Sequence, residues 1–595
     1  MALHFLYAFT ACLLLPWLLG YPLAALAGLG RGLRGAGFGI ACGLALLLIA
    51  CRGLQMLWPV TAFAWWLLAG VGVTAIALWS QRGVRAAAAQ LLREHGTGLV
   101  IMLVLAVLVG VLLDAPILFG NAIQFEGNRN ADSFTFVSSA QYMLGHAFAG
   151  AEDFTPEHPV YTIMRSYFGP LATQPRPAAE GLLAWLSALR GVDPMYLYNA
   201  AQAAGVVLAG WAVLAFAPAG WRPRSPWAWG IAALYLLACP SLLFVAVNSN
   251  FANLLGLPAL AGYVALGLLP RGWTRTAIAA LLLGALMSGY PEMLIFAFMA
   301  RGLGVLCQGV ARRELRQVVI EAALMAAELI VACVLLPWAA HGTYAVYRTT
   351  FSLSEGTAAL VGNMYAGVPL ALTAAVALAL AWRGLGRSLE LAAARPFLCG
   401  IVAAFALAQL LMRWRGFDYG GLKISEYFAP LLLGVLLLSL PGLLGALDGE
   451  RSTLARAGTA LAVLIALVMV SKSATLLRKS WSWSQERRVT ADLVRAGEAL
   501  PALSGGWPVA LGATPQPYYY GMWFAYLAKV PPAYDFASDP DAAGYLSSYL
   551  GSSPRSAQLY GEAQLRVEID SPGQPARVTD KPEVARYGAV HIRVK

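Results

Sequence analysis

Four groups of residues in this chain of 595 carry side chains that could do chemistry. The first reads Asn128-Arg129-Asn130-Ala131-Asp132-Ser133-Phe134-Thr135-Phe136-Val137. Its apolar positions 136, 137, 140, 143, 144 and 147 follow the spacing of one helix face. They predict an amphipathic helix from Asp132 to Gly145 lying on a membrane surface. Asp132 stands at its N-terminal end, where free backbone N–H groups favour a carboxylate. Such a residue is a helix cap, or else a base or a cation ligand. The second group, Tyr290-Pro291-Glu292, puts a carboxylate at a break between two apolar segments, as a solvated turn acid or a functional group. The third is Arg413-Trp414-Arg415-Gly416-Phe417-Asp418-Tyr419-Gly420-Gly421-Leu422-Lys423, with Arg165, Arg348 and His341 as weaker companions. These cations suit a phosphate, and they equally suit ion pairs with Asp418 and Glu426 or contact with lipid headgroups. The fourth is Tyr518-Tyr519-Tyr520 with Trp523, Phe524 and Tyr526, which could stack on a sugar or form a packed belt.

The elements that hold these groups follow from composition. Hydrophobic residues make up 59% of the chain and charged ones only 12%, with mean hydropathy +0.65. Soluble domains carry about 25% charged residues, so a soluble enzyme, a disordered scaffold and a coiled coil are excluded. Charge-free runs such as Leu99 to Leu113 recur along the chain, and about 20 apolar residues cross a bilayer core. The reading is a polytopic α-helical membrane protein of about 13–14 membrane helices. Spans fall near 3–28, 36–51, 57–79, 98–116, 195–217, 228–247, 251–270, 276–289, 292–309, 318–340, 366–382, 397–412, 428–447 and 457–476.

The net charge of +11 sits in short basic loops between spans, such as Arg82, Arg85 and Arg93, or Arg312, Arg313 and Arg316. That is the positive-inside pattern and not a nucleic-acid stripe. It predicts both termini outside, with long or polar outside loops at 117–194, 341–365 and 413–427. Residues 1–476 then form a transmembrane catalytic domain, and 477–595 a soluble α/β domain facing the same side. In the latter, Val489 to Leu500 reads as a helix and Trp507 to Leu511 as a strand. Leu565, Val567 and Ile569, then Val590, Ile592 and Val594, alternate with polar residues as half-buried strands. The seven cysteines lie in or beside apolar spans and form no CxxC pair. No GxGxxG after a strand, GxxxxGK[ST], HExxH or histidine pair with metal spacing occurs.

Many spans, a long outside loop, and an Asp followed by an aromatic-rich helix ending near Gly145 together resemble the GT-C glycosyltransferases. That class includes the protein mannosyltransferases, aminoarabinose and arabinosyl transferases and oligosaccharyltransferase. The resemblance covers the general layout and the stretch from Asp132 to Gly145. It implies a GT-C-like bacterial inner-membrane enzyme with its active site and C-terminal domain on the periplasmic side. The donor would be a sugar on a polyprenyl phosphate, and the acceptor a periplasmic glycan, lipid or protein. Asp132 and Glu292 would be catalytic. Arg413, Arg415, Lys423, Arg165, Arg348 and His341 would hold the donor phosphate. Tyr518, Tyr519, Tyr520 and Trp523 would bind the acceptor. A divalent cation (Mg2+ or Mn2+) is the candidate cofactor, with Asp132 as its ligand. Two alternatives stand beside this reading. One is an O-antigen polymerase or ligase type of enzyme, which relies on arginine pairs and needs no loop aspartate. The other is a lipid or glycan transporter without chemistry.

Overall fold

In the computed structural model, the described residues are all except 30–31, 129–131, 149–174, 219, 224, 351–366, 386–388, 446, 448–451, 536–553 and 572–580. The chain begins with α1 (Ala2–Leu26), α2 (Leu33–Gln55), α3 (Val60–Ser80), α4 (Arg82–Leu113) and the short α5 (Ala115–Phe119). A strand, β1 (Ala122–Phe125), then leads to α6 (Asp132–Gly145) and α7 (Ala178–Arg190). Helices α8 (Tyr198–Ala212), α9 (Pro226–Leu237), α10 (Pro240–Val247), α11 (Phe251–Ala265), α12 (Trp273–Gly289) and α13 (Met293–Arg312) follow. After them come α14 (Leu315–Leu335), α15 (Pro337–Thr350), α16 (Gly367–Leu385), α17 (Leu389–Trp414), α18 (Asp418–Leu443) and α19 (Thr453–Ser484).

Among the described residues 12 helices are long and apolar enough to cross a membrane, and Trp273–Gly289 and Pro369–Ala379 are shorter apolar helices. The chain is a polytopic helical membrane protein. The expected span 228–247 is divided at Pro240, which opens α10 because proline cannot donate inside a helix. Burial separates core from periphery: 94% of the α18 window is buried, against 22% for α3 and α14. The α3 rim carries exposed Trp65, Trp66 and Ile76, the apolar surface that faces lipid tails. Small residues bring α1 and α2 together: a Cβ on Gly20 or Gly43 would overlap the backbone of the facing helix.

The C-terminal region adds β2 (Arg488–Thr490), α20 (Ala491–Ser504), β3 (Val509–Leu511), α21 (Pro517–Leu527), β4 (Pro532–Ala533), β5 (Leu565–Ile569), β6 (Glu583–Tyr587) and β7 (Val590–Val594). Its five-stranded sheet has the order β4-β3-β5-β7-β6, with β3 parallel to β4 and β5 and the rest antiparallel. The alternation in β5 and β7 buries Leu565, Val567, Val590 and Ile592 on one face. Their polar neighbours pair across the strands, with Arg593 Nε 3.1 Å from Glu568 and His591 bridging Asp570 and Glu583 at 2.9 and 2.6 Å.

This region is tied to the membrane portion by backbone as well as side chains. Strands β1 and β2 pair antiparallel across more than 360 residues of sequence, with Ala122 opposite Thr490 and Phe125 opposite Arg488. Arg487 donates to the Asn128 carbonyl at 3.1 Å and Arg488 to that of Gly120 at 2.7 Å. The Tyr519 hydroxyl donates to buried Gln124 at 2.7 Å, and the Trp523 ring meets Phe134 of α6 edge-on at 5.8 Å. Helix α6 therefore lies between membrane helices and α21, with Ser133, Phe134, Thr135, Val137 and Tyr142 buried. The expected surface helix is correct in extent and different in setting, because the C-terminal region covers the side that would otherwise meet lipid or water.

Trp523 has no exposed surface. Trp523→Ala should lower stability by about 3–5 kcal/mol, read as a lower midpoint of thermal unfolding in detergent. An unchanged midpoint would mean that the ring does not anchor α21 to α6.

Candidate functional site

Of the residues singled out in distant parts of the sequence, Asp132, Lys423 and the Tyr290–Glu292 turn lie toward one end of the helix bundle. Asp132 begins α6 and is half-buried. The N-terminal helix dipole favours its ionised form. Its carboxylate lies within electrostatic range of Glu126, Tyr198, Tyr419 and Lys423. Asp132 at the start of α6 and the first turns of α18 thus lie within electrostatic range of each other.

Lys423 is held on the first turns of α18. Its Nζ donates to Glu426 Oε2 at 3.0 Å and lies 5.4 Å from the Tyr419 ring centre. Asn250 and Asn253 donate to the two oxygens of Glu426 at 3.1 and 2.8 Å. Of the readings open for this lysine, an ion pair with Glu426 is what the fold forms. An ammonium has three donors, so this bond alone leaves Lys423 capacity toward the Asp132 side.

Tyr290 continues the site. Its hydroxyl accepts from that of Tyr427 at 3.4 Å, and the Arg176 guanidinium sits 4.8 Å from its ring centre. Arg176 is ion-paired with Glu292. The Tyr347 hydroxyl donates to the Pro291 carbonyl at 2.7 Å, which brings α15 to the same turn. Deeper, Glu180 of α7 is buried. Burial pushes its carboxyl up to about 7, against its own backbone hydrogen bond and the charges of Arg176 and Arg52.

A second acid stands behind Asp132 that the sequence reading did not single out. Glu126 is fully buried just after β1, and its Oε1 accepts from the Ser133 hydroxyl at 2.5 Å. Its Oε2 has no hydrogen-bond partner among the described residues. Burial pushes this carboxyl up to about 8, and the Asp132 charge adds to the effect, while the Ser133 hydrogen bond and the Arg487 guanidinium oppose it. A lone acid in a polar loop reads as solvated. Only the β1–β2 pairing reveals that this one is enclosed.

The remaining candidates are placed differently. Arg413 and Arg415 are exposed at the end of α17, beside an exposed Trp414. His341 and Arg348 are exposed on α15. Arg165 lies outside the described residues. Tyr519, Tyr520 and Trp523 are buried in the contact between α21 and the β1–α6 segment, and Tyr518 is half-buried under the Arg487 guanidinium at 5.3 Å. These rings form a packed belt, and in this arrangement Tyr519, Tyr520 and Trp523 present no open face to an acceptor. No group of three or more His, Cys, Asp or Glu able to hold a metal occurs among the described residues.

No protein-family model and no curated protein matches the chain. Among solved structures it is similar to ArnT from Cupriavidus metallidurans in the apo state, with 12% identity, 83% of this chain and 97% of that chain covered, and a TM-score of 0.43. It is similar to the oligosaccharyltransferase AglB from Archaeoglobus fulgidus in complex with an inhibitory peptide and a dolichol-phosphate, with 13% identity, 79% and 69% covered, and a TM-score of 0.32. An Archaeoglobus fulgidus oligosaccharyltransferase in complex with Zn and sulfate gives 14% identity, 79% and 68% covered, and a TM-score of 0.27.

Glu126 keeps its proton in the folded chain up to about pH 8, against an ordinary value of 4.5. The folded state therefore binds the extra proton between these values, and stability falls as pH rises through that window. Glu126→Gln should flatten this part of the profile of unfolding midpoint against pH in detergent. A profile untouched by the substitution would show that Glu126 is not held in a dry setting.

Proposed function

We propose that the chain is an integral-membrane glycosyltransferase that moves a sugar from a polyprenyl phosphate to an acceptor. The observation that supports this reading is that Asp132, at the start of α6, is within electrostatic range of Lys423 and Tyr419 on the first turns of α18. A lipid phosphate sits at that level of a bilayer, while its sugar projects into water.

In this reaction the acceptor hydroxyl gives its proton to the Asp132 carboxylate as its oxygen forms a bond to the anomeric carbon. The bond between that carbon and the lipid phosphate oxygen breaks, and the phosphate leaves with the electron pair. The Lys423 ammonium stabilises the negative charge, and exposed Arg413 and Arg415 guide the phosphate at the rim. Glu426 fixes Lys423, and Glu292 fixes Arg176 over Tyr290. Glu292 is thereby a positioning residue. The short basic loops at the other end of the bundle support a bacterial inner-membrane protein with this site on the periplasmic side. The acceptor, whether glycan, glycolipid or protein, binds beside α6 under the C-terminal region.

Membranes carrying the full-length chain can be supplied with radiolabelled polyprenyl-phosphate sugars and an envelope extract as acceptor. Asp132→Asn should lower transfer about 10²–10⁴-fold with unchanged expression and thermal midpoint. Full activity in that variant would remove Asp132 from the mechanism. Arg413→Ala with Arg415→Ala should weaken donor use and leave some turnover. Loss in the arginine variants alone would favour a polymerase or ligase type of reaction.

A further inference from the structure

A cavity of about 440 Å3 opens at the end of the bundle opposite Asp132. Helices α12 and α13 set the separation. Arg275 in the first turn of α12 and Arg312 at the end of α13 stand about 22–30 Å from the turn at Tyr290 to Glu292, at 1.5 Å per residue. This cavity has no part in the glycosyl-transfer reading.

Its walls are basic. Among the described residues Arg34, Arg271, Arg275 and Arg312 line it, against two carboxylates, Glu314 and Glu321. Glu321 serves two of these arginines at once: Arg271 Nε donates to its Oε1 at 2.5 Å, and Arg275 donates to Oε2. The arginines are braced in addition, Arg271 by the Gln317 carbonyl and Arg275 by that of Leu269, each at 3.0 Å. Behind them Arg301 and Glu328 form a bidentate pair at 2.8 and 3.0 Å with no exposed surface. That pair is neutral within itself and does not relieve the positive excess of the cavity. Preset guanidinium forks with surplus positive charge match a phosphate.

Apolar crevices adjoin the cavity. A crevice of about 340 Å3 between α13 and α14 shares Val305 and Val318 with it, and small residues Gly302, Ala322 and Ala326 open the crevice. A further crevice of about 250 Å3 shares Phe298 and Leu329 with the first. From Val318 to Leu329 is about 17 Å along α14, roughly one leaflet of a 30 Å core.

We propose that the cavity and the adjoining crevices together are a binding site for an anionic glycerophospholipid of the leaflet on the basic-loop side. The phosphate sits among Arg271, Arg275 and Arg312, and one acyl chain lies along the α13–α14 crevice. A soluble anion would use the arginines and leave the crevice empty. A zwitterionic lipid would fill the crevice and leave the charge excess unmatched. Basic pockets between membrane helices on the positive side of a membrane hold anionic headgroups by this combination.

The test is native mass spectrometry of the full-length chain in detergent, titrated with phosphatidylglycerol, with phosphatidylcholine, or with glycerol phosphate as the chain-free anion. Phosphatidylglycerol should bind about tenfold or more tightly than phosphatidylcholine, and the pair Arg271→Gln and Arg312→Gln should remove that preference. Arg312→Gln alone, at an exposed side chain, should reduce it in the same direction and keeps the test readable if the pair impairs folding. Arg313→Gln with Arg316→Gln, exposed on the same face outside the cavity, should leave it unchanged. Ala322→Trp should weaken phosphatidylglycerol without affecting glycerol phosphate. Equal binding of the two lipids, equal loss in the outside pair, or displacement of phosphatidylglycerol by glycerol phosphate at matched concentration would each overturn the proposal.

Discussion

One buried carboxylate organises the functional end of this molecule. Glu426 accepts from Lys423, Asn250 and Asn253, so two helices and the turn before α11 share a single anion. A buried charge is tolerated only where its hydrogen-bonding capacity is met. Here that requirement fixes where α18 begins relative to α11, and with it the position of the Lys423 ammonium. Asp132, Tyr419 and Tyr290 then group around a cation whose place is set from below, by the membrane helices, rather than by the loop above.

The loop in turn depends on the C-terminal region. Residues 122–125 would be a mobile connection without a partner strand. Pairing with 488–490 makes them part of a ribbon, which encloses Glu126 and sets the N-terminus of α6 over the bundle. Tyr519 and Trp523 complete the enclosure from α21. The aromatic belt therefore has a structural task with a chemical consequence: it keeps water from the Glu126 side of Asp132, where a carboxyl next to an ionised neighbour remains protonated.

The two ends of the bundle solve different electrostatic problems. Near Asp132 opposite charges are balanced at short range, as in Lys423 with Glu426 and Arg176 with Glu292. At the other end Arg271 and Arg275 share Glu321, and among the described residues arginines outnumber carboxylates around the cavity. The excess follows from the loop composition that orients the chain in a membrane, so one sequence bias serves both topology and the basic cavity.

Composition and periodicity were enough to determine the class of molecule, most of its spans and the extent of α6, because a 20-residue apolar run and a 3.6-residue repeat are local signals. The strands at 565–569 and 590–594 were legible for the same reason. The site was legible in part. Asp132 stood out at the start of an amphipathic helix, Glu292 at a break between apolar segments and Lys423 in a cationic cluster, and only the fold reveals that Glu292 is engaged by Arg176 and Lys423 by Glu426. Glu126, the burial of Trp523 and the cavity at Arg271 were decided by tertiary structure alone. Each arises where segments far apart in sequence come together, and whether a carboxylate is wet or dry depends on what the rest of the chain lays over it.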